Sequence, residues 1–243
     1  MMNIVIAWIT AFMVTNAPIY NAQHYFPDAR ETPTEAQARY ESIARDIAEI
    51  AYDPAEEPLF KGPNGRARTV SVIEGIMLYE SGRFRKDVDF GIGPKSKGAG
   101  AAVCNMQIMV GSGRTGRYNM TKQRFAWTND PSTDTFLPGY TMRELLTDRK
   151  VCIRTGLHMI RQSFHTCGDQ MPPDQKLRFY ATGSCKLGRV DSYIRMSTAM
   201  QWFEEHPAPF TDTEAYLILH PDAAFTEAPS FSDVLLSSTA SSR

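Results

Sequence analysis

The chain has 243 residues, 42% of them hydrophobic, and a formal net charge of −1. A chain of this size and apolar content can bury one good-sized core, with room for a terminal appendage. Its near-zero net charge gives no global basic field, so nucleic acid is not expected as a partner.

The first element is an apolar run from Ile4 to Val14. It is too short to cross a bilayer as a helix, which takes about 20 residues. Its length is that of the apolar region of a secretory signal, with a cleavage point available after Ala17. No Lys or Arg precedes the run, so the alternative is a retained apolar helix packed on the protein or on a partner.

Two helices are predicted next. Thr32 and Glu35 have the spacing of a capping box, Pro33 suits the first helical position, and Pro54 ends the segment. The second helix, predicted over residues 68–79, is apolar nearly all round, which is typical of a buried helix. This helix ends at a glutamate, Glu80, followed by a Ser-Gly break.

Glu80 continues the apolar stripe one turn after Ile76. Burial and the negative end of the helix dipole both favour the neutral carboxyl group there. A protonated glutamate is what a glycosidase general acid needs. An ordinary helix-end glutamate paired with Arg83 or Arg85 is the simpler interpretation, and Glu74 in the same helix is a rival buried acid.

The rest of the chain predicts a mainly α protein with a small irregular or β lobe. A Gly-rich segment flanks "VCNMQIMV", a third helical region covers 142–168, a short helix ends at Gly183, and a last helix follows. The predicted organisation is an apolar segment over 1–31, a folded domain over 32–206, and a Pro/Ser/Thr-rich, poorly structured tail over 207–243.

Four segments carry a family resemblance: "LYESGRF", "GAGAAVCNMQI", "LLTDRKVCIRTGLHMI" and "RFYATGSC", in that order. Together, over about residues 65–205, they resemble the lysozyme-like fold of soluble lytic transglycosylases and goose-type lysozymes. In that superfamily a helix ends in Glu-Ser, a Gly-rich loop leads to Met-Gln-Ile, and a later helix carries Tyr-Asn-Ala-Gly. The last motif departs here, because Ala181 and Thr182 replace the Asn and the Ala.

The resemblance implies a helical bundle around a glycan cleft and a role for each matching residue. Glu80 would be the acid/base that cleaves the bond between N-acetylmuramic acid and N-acetylglucosamine. Ser81 would hold the Glu80 carboxyl group or the muramoyl acetamide. Gln107 and the backbone around Met106 would bind N-acetyl groups, and Tyr180 would orient Glu80 from the facing helix.

The role of a second carboxylate separates two reactions. A hydrolase needs a second carboxylate that activates water or attacks the sugar, and Asp87 or Asp89 could supply it. A lytic transglycosylase needs neither, because the substrate acetamide assists and the muramoyl 6-hydroxyl closes a 1,6-anhydro ring. Asp87 and Asp89 could equally cap backbone amides in a turn. The third alternative is an inactive, glycan-binding or structural protein with the same fold.

The four cysteines, Cys104, Cys152, Cys167 and Cys185, indicate two disulfides formed in an oxidising compartment, with reduced buried thiols as the alternative. Alongside the resemblance, we expect Cys104 to pair with Cys152 and Cys167 with Cys185, among three possible connectivities. No metal is expected, because the chain has no CxxC pair, and no cofactor is expected either.

The expected partners are peptidoglycan glycan strands and, through the two termini, envelope or phage virion proteins. The protein would act outside the cytosol, either exported to the periplasm or the exterior, or carried in a phage particle.

Overall fold

The computed structural model describes residues 3–18, 31–89, 102–109, 117–119, 124–130, 135–168 and 170–222. Within them the chain is mostly helical, which confirms the predicted mainly α class. The nine helices described are α1 Ile4–Asn16, α2 Pro33–Ala51, α3 Gly65–Glu80, α4 Lys86–Asp89, α5 Met142–Thr147, α6 Arg149–Cys167, α7 Arg178–Thr182, α8 Arg189–Glu205 and α9 Asp212–Leu219. A short 3-10 helix, Pro173–Gln175, precedes α7.

Five short strands are described beside these helices. The first two, β1 Ala102–Val103 and β2 Ile108–Met109, pair antiparallel and flank the turn that contains Met106 and Gln107. The other three, β3 Arg117–Asn119, β4 Arg124–Asp130 and β5 Thr135–Thr141, form an antiparallel sheet in the order β3-β4-β5. The two Gly-rich flanks predicted on either side of "VCNMQIMV" lie outside the described residues over 91–101 and 110–116.

The two helices that start the folded domain match the sequence signals. The Thr32 side chain accepts a hydrogen bond from the Glu35 backbone while the Glu35 carboxylate accepts one from the Thr32 backbone, so the predicted capping box is present. Helix α3 is buried on almost every face, as its apolar pattern predicted, and begins three residues before the predicted start. It is the central helix and packs against α1, α2 and α8.

The apolar N-terminal segment forms α1, which packs on the protein itself. Ile9, Phe12 and Met13 are fully buried in the same core as α2 and α3. The Trp8 indole donates to the His206 carbonyl at 2.9 Å, and the Tyr40 hydroxyl donates to the Ala17 carbonyl at 2.9 Å. Among the described residues, no helix combines the length and the apolar character that crossing a membrane requires.

Residues 207–222 differ from the predicted tail. Thr211 and Glu214 form a second capping box that starts α9, and Asp212 accepts hydrogen bonds from the Arg66 and Ala67 backbones at the start of α3. The first turn of α9 therefore caps the central helix, which anchors this segment on the body. The remainder of the predicted tail, residues 223–243, lies outside the described residues.

Candidate active site

Glu80 is the last residue of α3, and its carboxylate forms an ion pair with Arg195 of α8. Both Nε and Nη2 of Arg195 donate to Glu80 Oε1, at 3.1 and 2.6 Å. The Oε2 atom receives no hydrogen bond from any described residue, and the Glu80 side chain is 19% exposed. The expected partners Arg83 and Arg85 are not the ones used. One oxygen of Glu80 is thus held by a cation, while the other has no hydrogen-bond partner among the described residues.

Tyr180 lies on α7, within electrostatic reach of Glu80. Its side chain is buried, and burial, followed by the negative charge of Glu80, raises the pKa of its hydroxyl well above the usual value. The hydroxyl donates to the Met106 carbonyl at 2.6 Å, not to Glu80. Tyr180 therefore fixes the position of the Met-Gln-Ile turn, and its hydroxyl forms no hydrogen bond with Glu80.

The Met-Gln-Ile turn is held by hydrogen bonds and by close packing. The backbone and side-chain amides of Gln107 both donate to the Cys104 carbonyl at 2.9 Å. Cys104 and Gln107 adopt positive φ angles of 57° and 47°, a conformation that non-glycine residues seldom adopt. Since Gln107 is half-buried and its Oε1 accepts no hydrogen bond from a described residue, that oxygen can accept one from a ligand amide.

Met106 itself contributes its backbone to the turn and its side chain to the core. The side chain is fully buried and rests on Gly156 of α6. A Cβ atom at residue 156 would lie 2.5 Å from Met106 Cε and 3.0 Å from Met106 Cβ. The glycine therefore permits the close contact between the turn and α6.

The Ser81 side chain bonds to the backbone at the end of α3. Its hydroxyl donates to the Met77 carbonyl and accepts a hydrogen bond from the Phe84 backbone at 2.7 Å. The side chain is buried, so both bonds lie within the turn that ends α3. The predicted contact with the Glu80 carboxyl group is not formed, because the Ser81 hydroxyl is already bonded to the backbone groups of Met77 and Phe84.

Asp89, the candidate second carboxylate, is occupied by a buried ion-pair network. Its Oδ1 accepts from Arg149 Nε at 2.8 Å and from the Asn105 amide at 2.7 Å, and its Oδ2 accepts from Arg149 Nη2 at 2.9 Å. Its side chain is 1% exposed. Arg149 also pairs with Asp46 of α2. The network ties the chain beyond Glu80 to α2 and α6.

Asp87 is also engaged. Arg85 donates through Nε and Nη2 to the two oxygens of Asp87, and the Asp87 side chain is 4% exposed. Both aspartates therefore engage side-chain donors, and neither accepts a hydrogen bond from a backbone amide among the described residues, so the predicted backbone caps are not formed.

The rival acid, Glu74, is fully buried, and neither of its carboxyl oxygens has a hydrogen-bond partner among the described residues. Burial raises its pKa well above the usual value and so favours its protonated form. Because no part of Glu74 is exposed, a glycan cannot reach it in this conformation.

The two expected disulfides are confirmed. Cys104 bonds with Cys152, and Cys167 bonds with Cys185. The first ties the turn before Met106 to α6, and the second ties the end of α6 to the segment after α7. The two bonds fit an oxidising environment.

The site therefore brings together Glu80, Arg195, Tyr180 and the turn at Gln107. Arg195 was missed by sequence reasoning, because it lies 115 residues beyond Glu80 and no motif marks it. Comparisons with protein-family models, with curated proteins and with solved structures find no match to the chain.

Proposed function

We propose that the protein is a peptidoglycan-cleaving lytic transglycosylase with a lysozyme-like fold, acting on the β-1,4 bond between N-acetylmuramic acid and N-acetylglucosamine. The observation that carries the proposal is Glu80: a single carboxyl group at the end of a buried helix, with one oxygen held and the other open. The ordered Glu-Ser, Met-Gln-Ile and Tyr-x-x-Gly motifs support the same conclusion, as does the mainly α fold.

In the proposed reaction, the protonated Glu80 gives its proton to the glycosidic oxygen as the bond to the anomeric carbon breaks. The acetamide oxygen of the muramoyl residue attacks the anomeric carbon and forms a cyclic intermediate. Glu80, now a carboxylate, takes the proton of the muramoyl 6-hydroxyl. That oxygen displaces the acetamide, and the 1,6-anhydro ring closes. Glu80 ends the cycle protonated, and no water is consumed.

The remaining site residues would bind the glycan. The open Oε1 of Gln107 suits an acetamide N–H, which makes Gln107 the proposed N-acetyl contact, and Tyr180 with the Met106 backbone would hold that turn in position. The two disulfides favour an exported protein or one carried in a phage virion, and the proposed partner is the peptidoglycan strand. Envelope or virion proteins are proposed as further partners, bound through the two termini.

The alternative is a goose-type hydrolase in which Asp87 or Asp89 positions water. The geometry favours it less, because arginines engage both oxygens of each carboxylate. Asp87→Asn separates the two reactions. A transglycosylase should keep its activity within about tenfold, whereas a loss of about 1000-fold, roughly 4 kcal/mol of barrier, indicates a water-positioning carboxylate. Asp89 suits this test less, since its replacement breaks the network with Arg149.

The direct test is release of soluble muropeptides from purified murein by the full chain. Wild type should release them, and Glu80→Gln should reduce release by about 1000-fold or more, because an amide is too weak an acid to protonate the glycosidic oxygen. Glu204→Gln, an exposed acid on α8, is the matched control and should behave as wild type. No release by wild type would instead indicate an inactive, glycan-binding or structural protein.

A further inference from the structure

The Arg195–Glu80 ion pair has a consequence for the reaction proposed above, and the inference drawn from it rests on that proposed function. We propose that Arg195 is a positioning residue that controls when Glu80 carries its proton, and that Asp191 competes with Glu80 for the Arg195 guanidinium group.

The contact geometry explains the positioning role. Both Arg195 nitrogens that face Glu80 bind the same oxygen, Oε1. Charge-assisted hydrogen bonds to one oxygen hold the carboxyl group next to Arg195. The second oxygen, Oε2, accepts no hydrogen bond from a described residue and is the atom that would meet the glycosidic oxygen. The two side chains are only 14% and 19% exposed, which limits screening of the pair by solvent.

The same contact opposes the first step of the reaction. A cation next to a carboxylate favours its ionised form, yet Glu80 must be protonated before the glycosidic bond breaks. Asp191 opposes this effect of Arg195 on the Glu80 carboxyl group. It lies one turn before Arg195 on α8, with its Oδ1 3.8 Å from Arg195 Nη1, and its side chain is 62% exposed. Two carboxylates thus share one guanidinium group, and the second weakens its hold on the first.

A proton cycle results from this sharing. With part of the guanidinium charge taken up by Asp191, Glu80 takes its first proton from solvent. After Glu80 has given that proton to the glycosidic oxygen, Arg195 again faces a carboxylate and stabilises it. The 6-hydroxyl proton then returns Glu80 to its acid form. Arg195 neither gains nor loses a proton at any step.

The packing of α3 against α8 keeps Arg195 within reach. A Cβ atom at Gly75 would lie 2.8 Å from the Arg195 carbonyl oxygen and 3.0 Å from Ala199 Cβ. The glycine therefore allows the Arg195 backbone to approach the helix that carries Glu80. The charged and titratable groups facing Glu80 among the described residues are Arg195, with Asp191 behind it, from α8 and Tyr180 from α7.

The test is the pH dependence of kcat/KM on soluble, uncross-linked glycan strands. In Arg195→Gln, loss of the cation should move the alkaline limb to higher pH by about one unit. In Asp191→Asn, Arg195 no longer faces the Asp191 carboxylate and stabilises the Glu80 carboxylate more strongly, so the alkaline limb should move to lower pH. Arg195→Lys should restore part of the wild-type profile. A purely structural role would lower the rate at every pH and leave the limb unmoved, which would overturn the proposal.

Two controls match these variants on the same helix. Arg189→Gln removes an exposed arginine that forms no ion pair among the described residues, and Glu204→Gln removes an exposed acid. Both should reproduce the wild-type profile. If either shifts the limb as far as the Arg195 or Asp191 variants do, general surface charge is the cause and the proposal fails.

A second readout keeps this proposal separate from the enzymatic one. The side-chain carboxyl carbon of Glu80 can be followed by ¹³C NMR through a pH titration of the folded chain without substrate. Opposite shifts of its titration midpoint in Arg195→Gln and Asp191→Asn support the control of Glu80 even if murein is not cleaved. Cleavage of murein with unchanged midpoints in both variants supports the enzyme and overturns the role of Arg195.

Discussion

Glu74 and Glu80 lie on the same helix, yet their carboxyl groups have opposite environments. Glu80 is partly exposed and pairs with Arg195, whereas Glu74 is fully buried without a hydrogen-bond partner among the described residues. An unpaired buried carboxyl group destabilises a fold, so Glu74 is a cost to stability at neutral pH.

The first prediction concerns replacement of Glu74 by an apolar residue of similar length. Glu74→Met removes two unpaired oxygens from the core, and it should raise the free energy of unfolding at pH 7 by about 1–3 kcal/mol. Urea denaturation measures the change. Glu204→Gln on the exposed face of α8 should stay within about 0.5 kcal/mol of wild type. A loss of stability in Glu74→Met would mean that the carboxyl group has a partner that stabilises it.

The pH dependence of the same group has a definite sign. Because burial raises the folded-state pKa of Glu74, the folded chain keeps a proton that the unfolded chain releases above about pH 4.5. The free energy of unfolding should therefore fall as pH rises from about 4.5, by at most ~1.4 kcal/mol per pH unit. Glu74→Met should lack this slope in denaturation experiments at pH 5 and pH 8. An equal slope in both proteins would contradict the assignment.

At the scale of single residues, the candidate site could be predicted from the sequence only in part. Glu80, Gln107 and Tyr180 stand in the motifs that carry the resemblance, and the structure places Tyr180 within electrostatic reach of Glu80 and in contact with the turn that carries Gln107. Arg195 could not be found, since its contact depends on how α8 packs against α3. Ser81 also showed the limit of motif reasoning, because a buried hydroxyl next to a helix end binds backbone groups that the motif does not reveal.

At the scale of elements, the turn that carries Gln107 depends on its contact with α6. The Cys104–Cys152 disulfide and the Met106–Gly156 contact hold the turn on α6, and the Tyr180 hydroxyl holds it from α7. Three elements therefore fix one short segment. This is a rigid support of the kind that a ligand-binding amide requires.

The second prediction is that Gly156→Ala destabilises this contact. The new methyl group would overlap the buried Met106 side chain, and overpacking of this kind costs typically about 1–3 kcal/mol in the free energy of unfolding. Release of muropeptides should fall as well, because the turn moves. The double variant Gly156→Ala with Met106→Ala provides the control. It should lose less stability than the sum of the two single changes, since the smaller side chain makes room.

Strict additivity in that double-mutant cycle would contradict the direct contact between the two residues. Equal muropeptide release by Gly156→Ala and wild type, at equal folded fraction, would show that the position of the turn does not affect substrate binding.

The helices themselves were largely predictable, and the misses have physical reasons. The capping box at Thr32 and the apolar pattern of α3 indicated the starts and the burial of those helices. Helix α9 was missed because Pro, Thr and Ser dominate the composition after Pro207. The capping box at Thr211 and Glu214 was the signal that could have found it. That Asp212 caps α3 could not be predicted, since the contact spans 146 residues.

At the scale of the molecule, a cluster around Glu56 links the α2–α3 connection to α6. Its carboxylate accepts from His158 and from Arg161, both at 2.7 Å, and Arg154 Nε lies 3.0 Å from it. Burial raises the pKa of Glu56, but the hydrogen bonds and charges of His158 and Arg161 outweigh it and lower the pKa to about 2. One ionised carboxylate therefore holds the α2–α3 connection against α6.

The third prediction is the effect of this carboxylate at acid pH. Because its folded-state pKa is lowered, Glu56 contributes stability that is fully present above about pH 4.5 and is lost as pH falls towards about 2. Glu56→Gln should lose up to about 3 kcal/mol at pH 7 and show a flatter acid branch. The exposed neighbour Glu57→Gln is the matched control. Equal acid branches in wild type and Glu56→Gln, measured by urea denaturation, would contradict the role of the cluster.

The proposed enzyme differs from a hydrolase in one respect: Glu80 acts alone, and the substrate closes its own ring. The most direct measurement is mass spectrometry of the muropeptides that the wild-type chain releases from purified murein. We expect 1,6-anhydro-muramoyl ends, lighter by one water than the hydrolysis product, with no such product from Glu80→Gln. Reducing muramoyl ends would contradict the proposal and would show that water, and not the muramoyl 6-hydroxyl, completes the reaction.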